Sequence, residues 1–153
     1  MHAGVYIHLP FCARRCTYCD FCTFRLDETS LKKYHVVLKK EIELFSDGAK
    51  VDTLYFGGGS PSLYPLDLLQ ELFSTLHSRF RLELRECTLE ANPWELTLER
   101  LERWKKLGVN RLSIGLQSSD GEILKKVNRP MPPDLVERLE RAVDFFDNVN
   151  LDF

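Results

Sequence analysis

Short apolar segments alternate with longer amphipathic segments along the whole chain. Five apolar runs, at residues 3–9, 51–56, 86–91, 111–115 and 148–153, have the length and composition of buried strands. Between them, apolar residues recur every three or four positions, which predicts helices. A strand-helix-strand order predicts a parallel α/β sheet, built either as a doubly wound sheet or as a (β/α) barrel.

Local signals predict where the helices begin and end. Ser30 and Thr97 are expected to cap the first and third helices, Gly108 to end the third, and Asp120 to open a short fourth. Apolar faces run from Leu31 to Phe45 in the first helix and over residues 66–80 in the second. The expected helices cover residues 30–45, 66–80, 97–108, 120–127 and 134–146.

The segment from Pro10 to Thr29 breaks this alternation. It is a twenty-residue connection without apolar periodicity, and loops of that length are usually functional or disordered. It contains Cys12, Cys16 and Cys19 in a C-x3-C-x2-C arrangement. Such spacing lets thiolates from one loop converge on a metal site. The sequence therefore predicts that this loop is functional.

Three interpretations of the cysteine spacing remain open. Cys22, which follows Cys19 after two residues, completes the four ligands of a structural zinc site. Cys16 and Cys19 form a redox Cys-x-x-Cys pair. The favoured interpretation is an iron-sulfur cluster with three protein ligands and one open iron. Cys87 lies alone in a strand pattern and is expected to be a buried apolar residue.

Composition narrows the class of protein. The 153 residues, 44% of them hydrophobic, suffice for one ordinary core, and 21 basic against 23 acidic residues give a net charge of −2. Neither a nucleic-acid partner nor membrane association is indicated, so a small-molecule partner is expected. The N-terminus has no signal-peptide pattern and no run approaches the about 18 apolar residues of a membrane span. The expected location is the cytoplasm, where thiols stay reduced.

Unusual residues follow four of the predicted strands. The cysteines follow the first strand, Gly57, Gly58, Gly59 and Ser60 follow the second, and Glu90 and Gln117 end the third and fourth. In parallel α/β folds the carboxyl ends of the strands meet at one edge, where binding groups gather. These residues are therefore expected to converge on one site.

Five segments resemble a known family in order and spacing. They read YIHLPFCARRCTYCDF, LYFGGGSPS, LEANP, GVNRLSIGLQS and NVNLDF. They are similar to the radical S-adenosylmethionine (SAM) proteins related to oxygen-independent coproporphyrinogen III oxidase, and CDF after the third cysteine resembles the heme-chaperone (HemW) branch. The resemblance implies that residues 1–153 form the N-terminal portion of a partial (β/α) TIM barrel, truncated after about the fifth strand. The family's C-terminal domain would then be absent.

The resemblance also implies cofactors and site residues. A [4Fe-4S] cluster would be held by Cys12, Cys16 and Cys19, and its fourth iron would bind SAM and pass it an electron to break a carbon-sulfur bond. The implied substrate is a tetrapyrrole, either heme or coproporphyrinogen III, and the implied electron donor is a flavodoxin or ferredoxin. The other residues implied to contact the cofactor are Tyr6, Tyr18, Gly57, Gly58, Gly59, Ser60, Glu90, Gln117 and Arg129.

Each of these residues also has an ordinary structural explanation. The glycines could form a tight turn, Glu90 could cap a helix, and Gln117 could be a solvated loop amide. Arg129 could be a surface residue, because the family's Gly-Arg-x-His stretch reads NRPMPP here. Tyr6 and Tyr18 could pack in the core.

Three functions follow as hypotheses. The first is a SAM-cleaving heme chaperone, and the second is an oxidase that decarboxylates the propionate groups of coproporphyrinogen III. The third is a zinc-binding module or an inactive remnant. Because NVNLDF resembles a fifth strand left at a sheet edge, the chain alone is expected to be marginally stable and catalytically impaired.

Overall fold

A computed structural model describes residues 2–45 and 48–153 of the chain. The strands of the described residues are β1 His2–Leu9, β2 Phe11–Cys12, β3 Phe24–Arg25, β4 Lys50–Gly58, β5 Arg81–Ala91, β6 Arg111–Gly115 and β7 Asn148–Asp152. The helices are α1 Glu28–Phe45, α2 Leu66–Arg79, α3 Leu98–Leu107, α4 Gly121–Lys126 and α5 Leu135–Phe145. Short 3-10 turns at Pro61–Leu63 and Pro93–Glu95 follow β4 and β5. In this described part of the chain, no helix has both the length and the apolar character needed to span a bilayer.

Five strands form one parallel sheet in the order β1, β4, β5, β6, β7. Neighbours in this sheet also follow one another along the chain, so the strand order does not reverse. A doubly wound sheet has such a reversal, and that alternative is therefore wrong. The sheet is an arc of a (β/α) barrel, which confirms the predicted partial barrel.

The strand register separates an apolar face from a polar one. One row across the sheet contains Ile7, Phe56, Leu89, Leu112 and Val149. The adjacent row contains Tyr6, Tyr55, Thr88, Arg111 and Asn148. Successive side chains of a strand point to opposite faces, so the helices cover the first row and the second lies on the other face.

The apolar face packs against the helices in one continuous core. Leu38 of α1, Leu72 of α2 and Trp104 of α3 belong to it together with the buried strand residues. Cys87 of β5 is fully buried there, and burial raises the pKa of its thiol to about 12. The prediction that Cys87 is a buried apolar residue is thus confirmed. Complete burial of a Leu or Phe side chain contributes about 1.5–3 kcal/mol, so this face is the main source of stability.

Most predicted helix ends are confirmed. The Thr97 hydroxyl accepts a hydrogen bond from Arg100 N, Asp120 accepts from Glu122 N and Ile123 N, and Gly108 ends α3 with a φ of 97°. Two predictions about α1 are wrong. Asp27 rather than Ser30 accepts the capping bond, from Ser30 N at 2.7 Å, because α1 begins two residues before Ser30. Phe45, placed on the buried face by periodicity, is exposed at the last residue of α1.

The segment between β1 and α1 is less irregular than its sequence predicts. β2 and β3 pair in parallel at its two ends, with Phe11 opposite Phe24 and Cys12 opposite Arg25. Phe24 N donates to Pro10 O, and Leu26 N donates to Cys12 O, each at 2.8 Å. We call residues 10–27 the cysteine loop. The paired strands bring its two ends together beneath the cysteines.

Candidate functional site

The carboxyl ends of the five parallel strands form one edge, and a cavity of about 350 Å3 opens there. Its volume is typical of sites that bind small molecules. Ten of the twelve predicted site residues line it: Cys12, Cys16, Tyr18, Cys19, Gly58, Gly59, Ser60, Glu90, Gln117 and Arg129. The structure thus brings together residues that are up to 117 positions apart, as the strand-end argument predicts.

Cys12, Cys16 and Cys19 line the same cavity, and each is half-buried and not part of a disulfide. Burial is the largest cause of a raised pKa at Cys12, and the charges of Cys19 and Cys16 raise it further. A hydrogen bond from Ser60 opposes the rise. Because all three residues line one cavity, together they form a soft donor set. Metal binding there would release protons.

Cys22 differs from these three cysteines because its side chain is exposed. Its carbonyl oxygen lies 3.2 Å from His8 Nε2, which must donate because a carbonyl only accepts. His8 Nδ1 can then accept from the Tyr6 hydroxyl, whose oxygen is 3.0 Å away. These hydrogen bonds tie the backbone at Cys22 to β1, and the Cys22 thiol lies outside the cavity lining.

The spacing of the thiols bears on which metal group would fit. Among residues 2–45 and 48–153, no three His, Cys, Asp or Glu side chains come close enough together to hold one ion. A single zinc ion requires that closeness, since all its ligands bind one atom. In a cube-shaped cluster each cysteine binds a different iron, so its ligands stand farther apart. The donor chemistry, three thiols from one loop on one cavity, fits the cluster with ligands Cys12, Cys16 and Cys19.

The three glycines at the end of β4, Gly57, Gly58 and Gly59, have different surroundings. Gly58 has a φ of 121°, in the range that favours glycine. A Cβ on Gly59 would lie 2.7–2.8 Å from backbone atoms of Pro10 and Phe11, so the absent side chain lets the cysteine loop approach. Gly59 N donates to Leu9 O, and Ser60 N donates to Phe11 O, each at 2.9 Å. The turn therefore holds the cysteine loop in addition to lining the cavity.

Two predicted site residues, Tyr6 and Gly57, lie outside the cavity lining. A Cβ on Gly57 would lie within 2.9 Å of the rings of Tyr55 and Tyr6, on the polar face of the sheet. Tyr6 is 56% exposed, and its ring centroid is 5.9 Å from that of Tyr55. Core packing is therefore wrong for Tyr6. It is also wrong for Tyr18, which is about half exposed but does line the cavity.

Glu90 accepts two hydrogen bonds at the end of β5. The Tyr55 hydroxyl donates to Oε1 at 2.8 Å, and Gly58 N donates to Oε2 at 3.0 Å. The bond to Glu90 and burial together raise the pKa of Tyr55 well above its ordinary value, with burial the larger cause. The residue preceding the turn at Pro93 is Asn92, so the helix-capping explanation of Glu90 is wrong.

Gln117 follows β6 in a left-handed backbone conformation, with a φ of 70°. Few residues other than glycine adopt this conformation, and those that do are found repeatedly at functional sites. Gln117 N donates to Asp152 O at 2.7 Å, so the end of β7 holds this backbone in place. The side chain lines the cavity rather than extending from a solvated loop.

Arg129 is only 8% exposed, so the surface explanation is wrong. Its guanidinium lies 5.0 Å from the centre of the Trp94 ring and donates to Asn92 Oδ1 at 2.8 Å. It also donates to Gly115 O, and to Cys16 Sγ at 3.4 Å. The buried Nε of Arg129 has no hydrogen-bond partner among the described residues. An orphaned buried donor beside a cavity indicates a missing acceptor.

Sequence reasoning missed several residues of the site. Asn92, Trp94, Ser113 and Asp152 line the cavity, and Ser113 Oγ is 3.0 Å from Asp152 Oδ2. The Trp94 ring contacts Arg129 in the cavity wall. Their positions at strand ends were an available signal, since each lies within two residues of the cavity end of β5, β6 or β7 or on the following turn.

Comparison with known proteins identifies similar sequences. A family model described as the radical SAM superfamily matches residues 6–153. The heme chaperones HemW of Lactococcus lactis and Bacillus subtilis are 36% and 34% identical over 97% of this chain, and an anaerobilin synthase of Escherichia coli O157:H7 is 37% identical over 82%. The chain spans 40%, 41% and 29% of those relatives.

A solved structure has the same fold. The coproporphyrinogen III oxidase HemN of Escherichia coli, described as a radical SAM enzyme, superposes with a TM-score of 0.89 at 26% identity. The alignment covers 99% of this chain and 36% of that one. The parallel five-stranded arc is therefore shared with a partial barrel of known structure.

Proposed function

The chain belongs to the radical SAM superfamily. We propose that it holds a [4Fe-4S] cluster and SAM and that it functions as a heme chaperone similar to HemW. The observation that carries the proposal is the convergence of three half-buried, unpaired thiols on one cavity at the strand ends. Cys12, Cys16 and Cys19 would hold the cluster. When bound, the cluster would supply the electron for reductive cleavage of SAM.

The remaining site residues are proposed to bind and orient SAM. The backbone of Gly58 and Gly59 and the hydroxyl of Ser60 would meet its amino-acid portion. Glu90 would accept from ribose hydroxyls, as acidic residues do in dinucleotide sites. Gln117 would donate and accept beside it. Tyr18 would cover the opening, since its ring is half-exposed at the cavity.

Three proposed residues would act in more limited ways. The orphaned Nε–H of Arg129 supports a contact with an anionic group such as the SAM carboxylate. Tyr6 and Gly57 stand on the polar face beside Glu90 and Tyr55, since a Cβ on Gly57 would be 3.1 Å from Glu90 Oε1. They would act on the cofactor through the position of the Glu90 carboxylate rather than by lining the cavity.

The choice of heme chaperone over oxidase rests on sequence similarity. Four HemW proteins are 31–36% identical to the chain over 88–97% of its length, and the third cysteine, Cys19, is followed by Asp20 and Phe21. The second candidate is the oxidase, favoured by the TM-score of 0.89 to HemN. In either case we propose a tetrapyrrole as the substrate or cargo, a flavodoxin or ferredoxin as the electron donor and the cytoplasm as the location.

Anaerobic reconstitution with iron and sulfide tests the cofactor proposal. We expect iron and sulfide in equal amounts, a broad absorption band that dithionite bleaches, and an EPR signal of the reduced cluster that changes when SAM is added. Colourless protein that takes up zinc in preference to iron would contradict it. The zinc module would then be the correct hypothesis.

A second experiment separates chaperone from oxidase. Reconstituted protein is incubated with heme and, separately, with coproporphyrinogen III, SAM and a reductant. Stable binding of heme without turnover supports the chaperone. Decarboxylated porphyrinogen in the second incubation would instead establish the oxidase.

A further inference from the structure

Arg129 is held in place on two sides before any ligand binds. It follows Asn128, whose φ of 57° is left-handed and whose side chain donates to Arg15 O at 2.9 Å. Thr17 N donates to Val127 O at 3.2 Å. These two bonds attach the end of α4 to the cysteine loop. The backbone that carries Arg129 is therefore fixed relative to Cys16.

The guanidinium of Arg129 has little freedom to turn. The Nη2 group has two hydrogens, and both have acceptors, Asn92 Oδ1 and the carbonyl oxygen of Gly115. The flat face lies against the Trp94 ring. The Nη1 group is directed at Cys16, with 3.4 Å between Nη1 and Sγ. Arg129 cannot offer both Nη groups to a carboxylate without breaking these bonds.

The amide of Asn92 is oriented by a buried polar network. Its Nδ2 donates to Ser60 Oγ at 2.9 Å and to Glu95 Oε2 at 3.2 Å, so its oxygen must face Arg129. Glu95 is 6% exposed and also accepts from Ser62 Oγ. Rotating the Asn92 amide would place a donor against the guanidinium and leave a buried carboxylate with one bond fewer. Asn92 thus acts as a fixed acceptor.

We propose that Arg129 raises the reduction potential of the cluster by donating to the sulfur of its ligand Cys16, and that Asn92 is the positioning residue for this contact. The proposal rests on the proposed function. Reduction adds negative charge to the cluster and its thiolates, and a fixed cation bonded to one sulfur stabilises that charge. Hydrogen bonds to ligand sulfurs are an established means by which proteins tune such potentials.

The test measures the reduction potential of the reconstituted full chain without SAM, by EPR of samples poised at known potentials. In R129M we expect the equilibrium constant for one-electron reduction to fall about tenfold, a shift of 59 mV to lower potential. In N92A we expect a smaller shift in the same direction, because Arg129 loses one restraint. The matched control is R138M, since Arg138 donates to the Trp94 carbonyl at 3.1 Å rather than to a thiol. R138M should keep the parent potential.

The double variant R129M/N92A distinguishes positioning from an independent effect. If Asn92 acts through Arg129, the double variant has the potential of R129M. Full additivity of the two shifts would overturn the positioning role, and an unchanged potential in R129M would overturn the tuning. If R129M retains less iron than the parent protein, the reduction potential of N92A becomes the deciding measurement. A potential of N92A equal to that of the parent protein would then overturn the proposal. Failure of the parent to take up iron and sulfide would instead reject the proposed function.

Discussion

Two regions of the cavity wall, the cysteine loop and the turns at the ends of β4 and β5, depart in opposite ways from the usual burial of apolar side chains and exposure of polar ones. In the cysteine loop, large apolar side chains are outside, with Phe21 71% exposed and Phe24 also exposed. In the two turns at the ends of β4 and β5, residues 57–64 and 91–97, polar side chains are inside, and Ser62, Asn92 and Glu95 are buried. We call these two turns the turn wall.

The two regions differ in the contacts that hold them in place. The turn wall carries buried hydrogen bonds among its own residues, such as those among Ser60, Asn92 and Glu95. Residues 13–22 of the cysteine loop are held mainly at backbone positions, including Thr17 N and the Cys22 carbonyl. Buried hydrogen bonds restrain the side chains that make them, whereas exposed segments with few contacts open easily. We infer that, before any ligand binds, the turn wall is more rigid than the exposed parts of residues 13–22.

The largest expected effect is on the cysteine loop. C16A should abolish nearly all iron and sulfide uptake, because two remaining thiolates cannot hold the cube. C22A is the matched control and should retain the cluster, since the Cys22 thiol is exposed. Iron and sulfide analysis with absorption spectra measures both. Equal loss in C22A would mean that Cys22 is a ligand, and retention in C16A would contradict the assigned set.

The next effect tests the contact between the two walls. In G59A the added Cβ would meet the backbone of Pro10 and Phe11 at 2.7–2.8 Å, so the loop must shift. Overpacking of this kind costs about 3 kcal/mol at its upper range. G121A is the control, because a Cβ there has no neighbour within 4 Å among the described residues. Urea denaturation should show the loss only in G59A, and equal stability of the two variants would contradict the contact.

A smaller effect tests the buried network of the turn wall. Burial is the largest cause of the raised pKa of Glu95. The unfolded chain therefore loses this proton first, and stability falls as pH rises from the ordinary value of 4.5 to the higher folded value. E95Q stays neutral, so its stability relative to the parent should increase across that interval. Denaturation at several pH values measures it, and a pH-independent difference would be inconsistent with a buried ionising carboxyl.

The smallest expected effect lies at the end of the cysteine loop. D27A removes the acceptor of Ser30 N and should lower the melting temperature by a few degrees. S30A leaves that backbone bond in place and should change the melting temperature less. Thermal denaturation followed by circular dichroism compares the two. A larger effect in S30A would restore Ser30 as the cap that the sequence predicts.

Site residues that depend on local pattern were predictable, while those that depend on distant partners were not. Cys12, Cys16 and Cys19 follow from spacing, and Glu90 and Gln117 follow from their positions at strand ends. Tyr6 and Gly57 lie on the same polar face as Glu90, but they stand beside it rather than in the cavity lining. Which residues of that face reach the cavity depends on contacts between strands, which a motif comparison does not reveal.

The sequence by itself determined the alternation of strands and helices, the parallel sheet and the edge at which the chemical groups gather, because these follow from periodicity and from residues near in the chain. Only the tertiary structure decided that the sheet is singly wound, that Arg129 is buried against Cys16 and that Asn92 and Glu95 form a buried network. Each of these depends on contacts between segments far apart in sequence. Such contacts exist only once the helices have covered the apolar face and fixed the order of the strands.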